Sequence, residues 1–159
     1  MSIFGLTKQI EGDFMPTDDR LIYLLTRAQH ALMSHLKKEL GASDTTITPV
    51  QAGILFLLRE KGHTMTQLSR ILAIDNSAIT GLVDRLEKSG LAKRTANPED
   101  RRAFLIRITA KGKDEIDRAY VTIKQVNDEI KSGFSRDEIE TFKKVLNNLM
   151  ENLHVDSLI

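Results

Sequence analysis

The chain contains no cysteine. It therefore forms no disulfide and no thiolate metal site, and its composition is compatible with a reducing cytoplasm. It has no run of about 18 apolar residues, so no membrane-spanning helix and no membrane partner are expected. The first residues lack the charged-then-apolar pattern of a secretory signal, and neither an internal repeat nor a low-complexity tract occurs. Chemistry-bearing motifs are missing too. No glycine-rich loop leads to a phosphate-cradling Lys, and there is no nucleophile elbow. His30, His35, His63 and His154 stand apart, none with a second His or a carboxylate at metal-ligand spacing on one helical face. The many acids fall at helix caps, in one charged loop or on solvated faces. An enzyme has no constellation to stand on, and no cofactor or metal is expected. Neither sign of charge dominates: 23 Lys or Arg face 22 Asp or Glu, for a net +1.

What is present is a globular, helix-friendly chain. Its 159 residues, 41% hydrophobic and 28% charged, suffice for one domain with a sizeable core. The most informative stretch runs from Met65 to Arg107. Residues 66–89 read as two short helical patterns joined by a tight turn at Ala73-Ile74-Asp75. In the second, Ile79, Leu82, Val83 and Leu86 fall at i, i+3, i+4 and i+7, which makes one apolar face. Asp75, Asn76 or Ser77 is expected to cap it, and Gly90 suits a left-handed residue after its last turn. The opposite face carries Asn76, Ser77, Ala78, Thr80, Gly81 and Asp84, with Arg85 at its edge. A helix entering a major groove needs short side chains where it comes closest, and polar groups that reach base edges or phosphates. An ordinary surface helix would look similar, so the helix alone decides nothing.

The ribbon that follows decides more. Residues 91–108 read as a wing: strands at 91–95 and 104–108 flank a loop rich in turn formers and charge. From Arg85 to Lys113 there are nine Lys or Arg against three Asp or Glu, a local balance of +6 in a chain of net +1. A helix pair with a basic two- or three-stranded ribbon is a winged helix-turn-helix, whose usual work is reading duplex DNA. Arg102 at the ribbon tip suits a minor groove. Asp100 is expected to hold its guanidinium by a bidentate pair, with Arg101 beside them. Lys93 and Arg94 are expected to meet phosphate or brace the wing, as is Arg85.

The rest of the chain reads as helix. Residues 1–16 form a mixed arm of no firm period. Residues 17–40 and 110–154 carry apolar stripes at helical spacing around the wing unit. Thr48 and Gln51 make a capping box with Pro49 at the first helical position, and the helix they open is expected to run to Gly62. Thr66 is a candidate cap for the first reading helix and Thr109 for the helix after the wing. Ser135 and Glu138 make a second box. The stripe on the last helix is wide, and a twofold interface would bury it. Two reading helices would then meet successive major grooves, which predicts a roughly palindromic duplex site.

These residues carry a family resemblance. Asp100-Arg101-Arg102-Ala103-Phe104-Leu105-Ile106-Arg107-Ile108-Thr109, then Lys111-Gly112, resembles the wing signature of the MarR (multiple antibiotic resistance regulator) family. Ile47-Thr48-Pro49-Val50-Gln51 and Leu82-Val83-Asp84-Arg85-Leu86-Glu87-Lys88-Ser89-Gly90-Leu91 resemble two further marks of that family. The likeness covers 17–154 as one MarR-type domain. It implies a homodimeric transcription regulator, a repressor, with 17–40 and 110–154 as dimerisation helices. It also implies a small-molecule effector, often a phenolic or other aromatic anion, bound between those helices and the winged lobe. Arg27, His30, His35 and Tyr120 are polar groups near the stripes, but no effector residue is assigned. The missing cysteines exclude the thiol-oxidation sensing that some relatives use. Ala73 departs from the Gly common in such turns, and is acceptable if the turn needs no positive φ. The different-class alternative is a winged module that docks protein and binds DNA weakly or not at all. The +6 window argues against it.

Overall fold

A computed structural model describes residues 20–153. The arm at 1–16, the expected helix opening at Thr17 and His154 lie outside the described residues. The chain divides into two compact units, Met1–His35 and Leu36–Ile159. The described part of the first is Arg20 and the leading turns of α1 (Leu21–Ala42). Leu21, Ile22, Leu24 and Leu25 are exposed there, and Arg27 sits over the Tyr23 ring at 5.6 Å. Among the described residues, no helix is long and apolar enough to cross a membrane.

The second unit holds the end of α1, then α2 (Pro49–Leu58), α3 (Met65–Leu72), α4 (Asn76–Lys88), β1 (Ala92–Ala96), β2 (Phe104–Ile108), α5 (Ala110–Lys131) and α6 (Arg136–Asn152). Local chemistry explains most boundaries. Thr48 accepts the Gln51 N–H while the Gln51 side chain takes the Thr48 N–H, with Pro49 at the first helical position. Ser135 and Glu138 do the same for α6. Thr109 caps α5 by accepting from the Gly112 N–H. The end of α1 and strand β1 lie one or two residues beyond their expected bounds, and two further boundaries differ for a local reason. The cap of α3 is Thr64, boxed with Gln67, and not Thr66, because only Thr64 has Gln three residues on. Helix α2 stops at Leu58, not at Gly62, which instead sits against β2 beside Ile106 and Arg107.

The core lies where α2, α3, α4, β2 and α5 converge. Ile54, Leu55, Leu68, Ile79, Val83, Leu86, Ile106, Ile116 and Ala119 are fully buried. Strands β1 and β2 pair antiparallel in the register Ala92↔Ile108 through Ala96↔Phe104. His63 adds a one-residue bridge to Ile106, through backbone bonds of 3.1 and 2.8 Å. The ribbon is thus two full strands and the stub of a third. Buried Glu115 on α5 anchors the loop at 43–47: it accepts the Thr46 N–H at 2.6 Å and the Thr46 hydroxyl at 3.0 Å, and pairs with Arg118. Burial raises the Glu115 carboxyl, but the bonds from Thr46 and Arg118 outweigh it and hold the group below its ordinary range.

Candidate nucleic-acid interface

Helices α3 and α4 are locked by the turn between them. Ala73 takes the left-handed conformation, φ 51° and ψ 44°. The condition set for Ala there, a turn that needs no positive φ, is not met: the chain must reverse within three residues, and the left-handed residue achieves it. The Ala73 N–H donates to the Arg70 carbonyl and the Ile74 N–H to that of Ser69, while the Ser69 hydroxyl donates to the Ile74 carbonyl at 2.6 Å. These bonds stabilise a conformation that costs roughly 1–2 kcal/mol for a non-glycine residue. Asp75 stands at the N-cap of α4 but makes no side-chain cap bond, and neither Asn76 nor Ser77 occupies that position. The expected C-terminal Gly90 has φ 74°.

Helix α4 buries Ile79, Val83 and Leu86 and turns its other face outward. Asn76, Ser77, Ala78, Thr80 and Arg85 are exposed, and Gly81 and Asp84 are half-buried. The Thr80 hydroxyl donates to the Asn76 carbonyl at 2.8 Å. A Cβ on Gly81 would meet nothing within 4 Å. No packing inside the described chain requires a glycine there, although it costs its helix about 0.5–1 kcal/mol relative to Ala.

The wing is fastened to this helix by one arginine. The Arg94 guanidinium pairs with Asp84 at 2.7 Å and with Glu87, and its backbone N–H donates to Glu87 at 2.9 Å. The bond from Asp84 is the main reason the Arg94 pKa rises further. Of the two roles expected for Arg94, the geometry is that of the brace. Asp84, expected on the DNA side, is its anchor. Glu87 was not singled out from sequence, because a pairing seven residues away across a turn leaves no local signal. At the base of the wing, Lys111 donates to the Ser89 carbonyl and Thr109 to that of Gly90.

At the tip, Asn97 accepts the Glu99 N–H at 3.0 Å, and Asp100 accepts the Arg102 N–H at 2.9 Å. The expected bidentate pair is therefore replaced by a backbone bond. A short carboxylate two residues upstream reaches the main chain of a tight turn before it can reach a long side chain's end. Asp100 shapes the loop and leaves the Arg102 guanidinium outward. Among the described residues, Arg85, Lys93, Arg101 and Arg102 are exposed and make no ion pair. The structure thus brings all twelve expected residues onto α4 and the adjoining ribbon, with four cations free and one committed to bracing.

Comparison with known proteins bears on the fold and the family. The MarR family model matches residues 45–103, from the loop before α2 to the wing tip. The chain is 30% identical over 135 residues to the HTH-type transcriptional regulator PrsX of Escherichia coli, covering 84% of this chain and 81% of that protein. It is 27% identical over 146 residues to the multiple antibiotic resistance protein MarR of Salmonella typhimurium, covering 91% and 97%. Among solved structures it is similar to CouR of Rhodococcus jostii, crystallised bound to p-coumaroyl-CoA. The TM-score is 0.75 at 25% identity, covering 86% of this chain and 95% of that one.

Proposed function

The chain belongs to the MarR family of DNA-binding transcription regulators, and from that membership we propose that it is a homodimeric repressor released by a small apolar or aromatic effector. One observation carries the DNA-binding geometry: the short-side-chained face of α4 and the free cations of the wing lie on one braced unit. Ser77, Thr80 and Gly81 would lie nearest the bases in a major groove, with Asn76 and Ala78 at the same face. Arg102 would enter the neighbouring minor groove, Asp100 shaping its loop, while Arg85, Lys93 and Arg101 meet phosphate. Arg94 and Asp84 would act indirectly, by fixing the wing's angle to α4.

Two further features support the regulatory half. Helix α6 has no buried residue, and Phe142, Val145 and Leu149 are exposed along it. A second copy covering that stripe would place two reading helices on a roughly palindromic operator. A groove of about 400 Å³ lies among Leu36, Ala52, Phe56, Leu57, Leu72 and Ile123. Its lining suits an apolar or aromatic effector. Leu72 ends α3, one residue before the strained turn, so an occupant would touch the reading pair directly. Tyr120 does not line the groove; it stacks on Phe56 at 6.4 Å.

The test is fluorescence anisotropy of the purified protein against the intergenic duplex beside its own gene, with a mixed-sequence duplex in parallel, across a salt series. Tight binding to the first, weak binding to the second and a steep negative salt slope are expected. Absence of binding at low salt would sink the reading and favour a protein-docking winged module.

A further inference from the structure

Between Leu57 and Ala119, Phe104 is the one large hydrophobic side chain left exposed, at 61%. Single exposed apolar residues are common on protein surfaces, so exposure alone says little. Its place on the ribbon says more. Cross-strand partners share a face, and alternate residues along a strand return to it. Ala92, Arg94 and Ala96 of β1 therefore share one face with Ile108, Ile106 and Phe104 of β2. Ala92 and Ile106 are buried on that face, and from it Arg94 reaches Asp84 and Glu87 of α4. Phe104 thus stands at the outer end of the face turned toward α4. Opposite it is only the methyl group of Ala96. Two residues upstream is Arg102, exposed and without an ion pair, and Arg101 beside it is the same.

We propose that Phe104 is a further DNA-contacting residue, packing its ring against the deoxyribose edge of the strand that passes between α4 and the wing. The inference rests on the DNA-reading geometry above. The other large exposed hydrophobics lie on α1, α2 and α5, in the turn after α5, and along and just beyond α6, so none of them shares the ribbon with Phe104. The free cations flanking it match a polyanion, and sugar C–H groups are the apolar surface a polyanion offers. Proteins that enter a minor groove commonly use apolar side chains beside their cations.

An apolar contact displaces no counterion, and this gives the experiment its readout. Anisotropy titrations would compare wild type, Phe104→Ala, Phe104→Leu and Arg102→Ala on the intergenic duplex across a salt series, with urea midpoints for each. Phe104→Ala should weaken binding about tenfold at every salt concentration, at an unchanged slope and urea midpoint. Phe104→Leu should recover most of the loss. Arg102→Ala should weaken binding and flatten the slope by about one. Wild-type affinity in Phe104→Ala overturns the proposal. So does a flattened slope or a lowered urea midpoint in that variant, since either makes the ring a prop for the wing. Loss of slope in Arg102→Ala with no effect of Phe104→Ala refutes the Phe104 contact and leaves the wing reading intact. A wild-type protein that binds no duplex removes both.

Discussion

Two small residues in the reading unit are placed against their own conformational interest. Ala73 adopts a left-handed conformation that glycine would take freely, and Gly81 occupies a helix interior that alanine would favour. Exchanging each should act alike on stability but differently on function. Ala73→Gly should stabilise the protein by up to about 1 kcal/mol, the steric relief being partly offset by a freer unfolded chain. Gly81→Ala should also stabilise it, by about 0.5–1 kcal/mol, because its Cβ would meet open space. Only Gly81→Ala should weaken duplex binding, since its methyl would stand where bases approach. Urea denaturation and anisotropy on the same preparations separate the two. Equal DNA affinity for Gly81→Ala and wild type would leave that glycine without a reason. The Ala73 conformation was not legible in the sequence: φ there is set by how α3 and α4 close on their shared core, and no neighbour announces it. Gly90 was legible, because a glycine just past an apolar helical stripe is a local signal.

At the scale of elements, two of the wing's attachments differ in chemistry. The first is the Arg94 bridge to Asp84 and Glu87. Its side chains are about one-quarter to one-half exposed, so Arg94→Ala should cost only roughly 1 kcal/mol of stability. Its larger effect should fall on DNA, as a loss of affinity with a shallower salt slope once Arg101 and Arg102 lose their aim. Undiminished affinity in Arg94→Ala would show that the wing holds its angle without the brace. The second attachment is the His63 bridge to β2. Burial, then the charge of Lys61, lowers the His63 pKa, against a backbone bond to Leu57 and the charge of Glu60. The folded state therefore resists protonation while the unfolded chain accepts a proton near the ordinary value of about 6.5. Stability contributed by neutral His63 is full above that value and falls as pH drops below it, until the folded-state pKa is passed. Urea midpoints measured from neutral to mildly acidic pH should show this fall in wild type and less of it in His63→Gln; parallel curves would exclude His63 as the cause. The capping boxes at Thr48 and Ser135 could be read from sequence because each closes within four residues. The Thr64 box closes over the same span with Gln67 and carries the same signature. The Arg94 bridge could not be read, because it joins residues seven and ten positions apart through a turn whose geometry is a tertiary outcome.

For the whole molecule, the reading unit and the terminal helices present different surfaces. The unit around α4 buries or half-buries its large apolar residues, Phe104 excepted. Helix α6 buries none, though its Ile139, Phe142, Val145, Leu146 and Leu149 keep helical spacing. A capped seventeen-residue helix with an uncovered stripe is marginal alone in water, since most helical stability comes from packing an amphipathic face. A second copy would supply that packing and, by the same contact, would fix the separation of two reading helices. Dimerisation and operator reading should therefore fail together. Leu149→Asp puts a charge in the stripe at a position that is 38% exposed in the single chain, so it should disturb the protomer's own core little. Sedimentation should show a dimer in wild type and a monomer in Leu149→Asp, with binding to the intergenic duplex falling by well over tenfold as the second reading helix is lost. The reading unit of that variant should stay folded, so its weak binding to mixed-sequence duplex should persist with a shallower salt slope. A monomeric variant that still bound the intergenic duplex at wild-type affinity would mean that one reading helix and one wing suffice, and that the stripe on α6 serves a different partner.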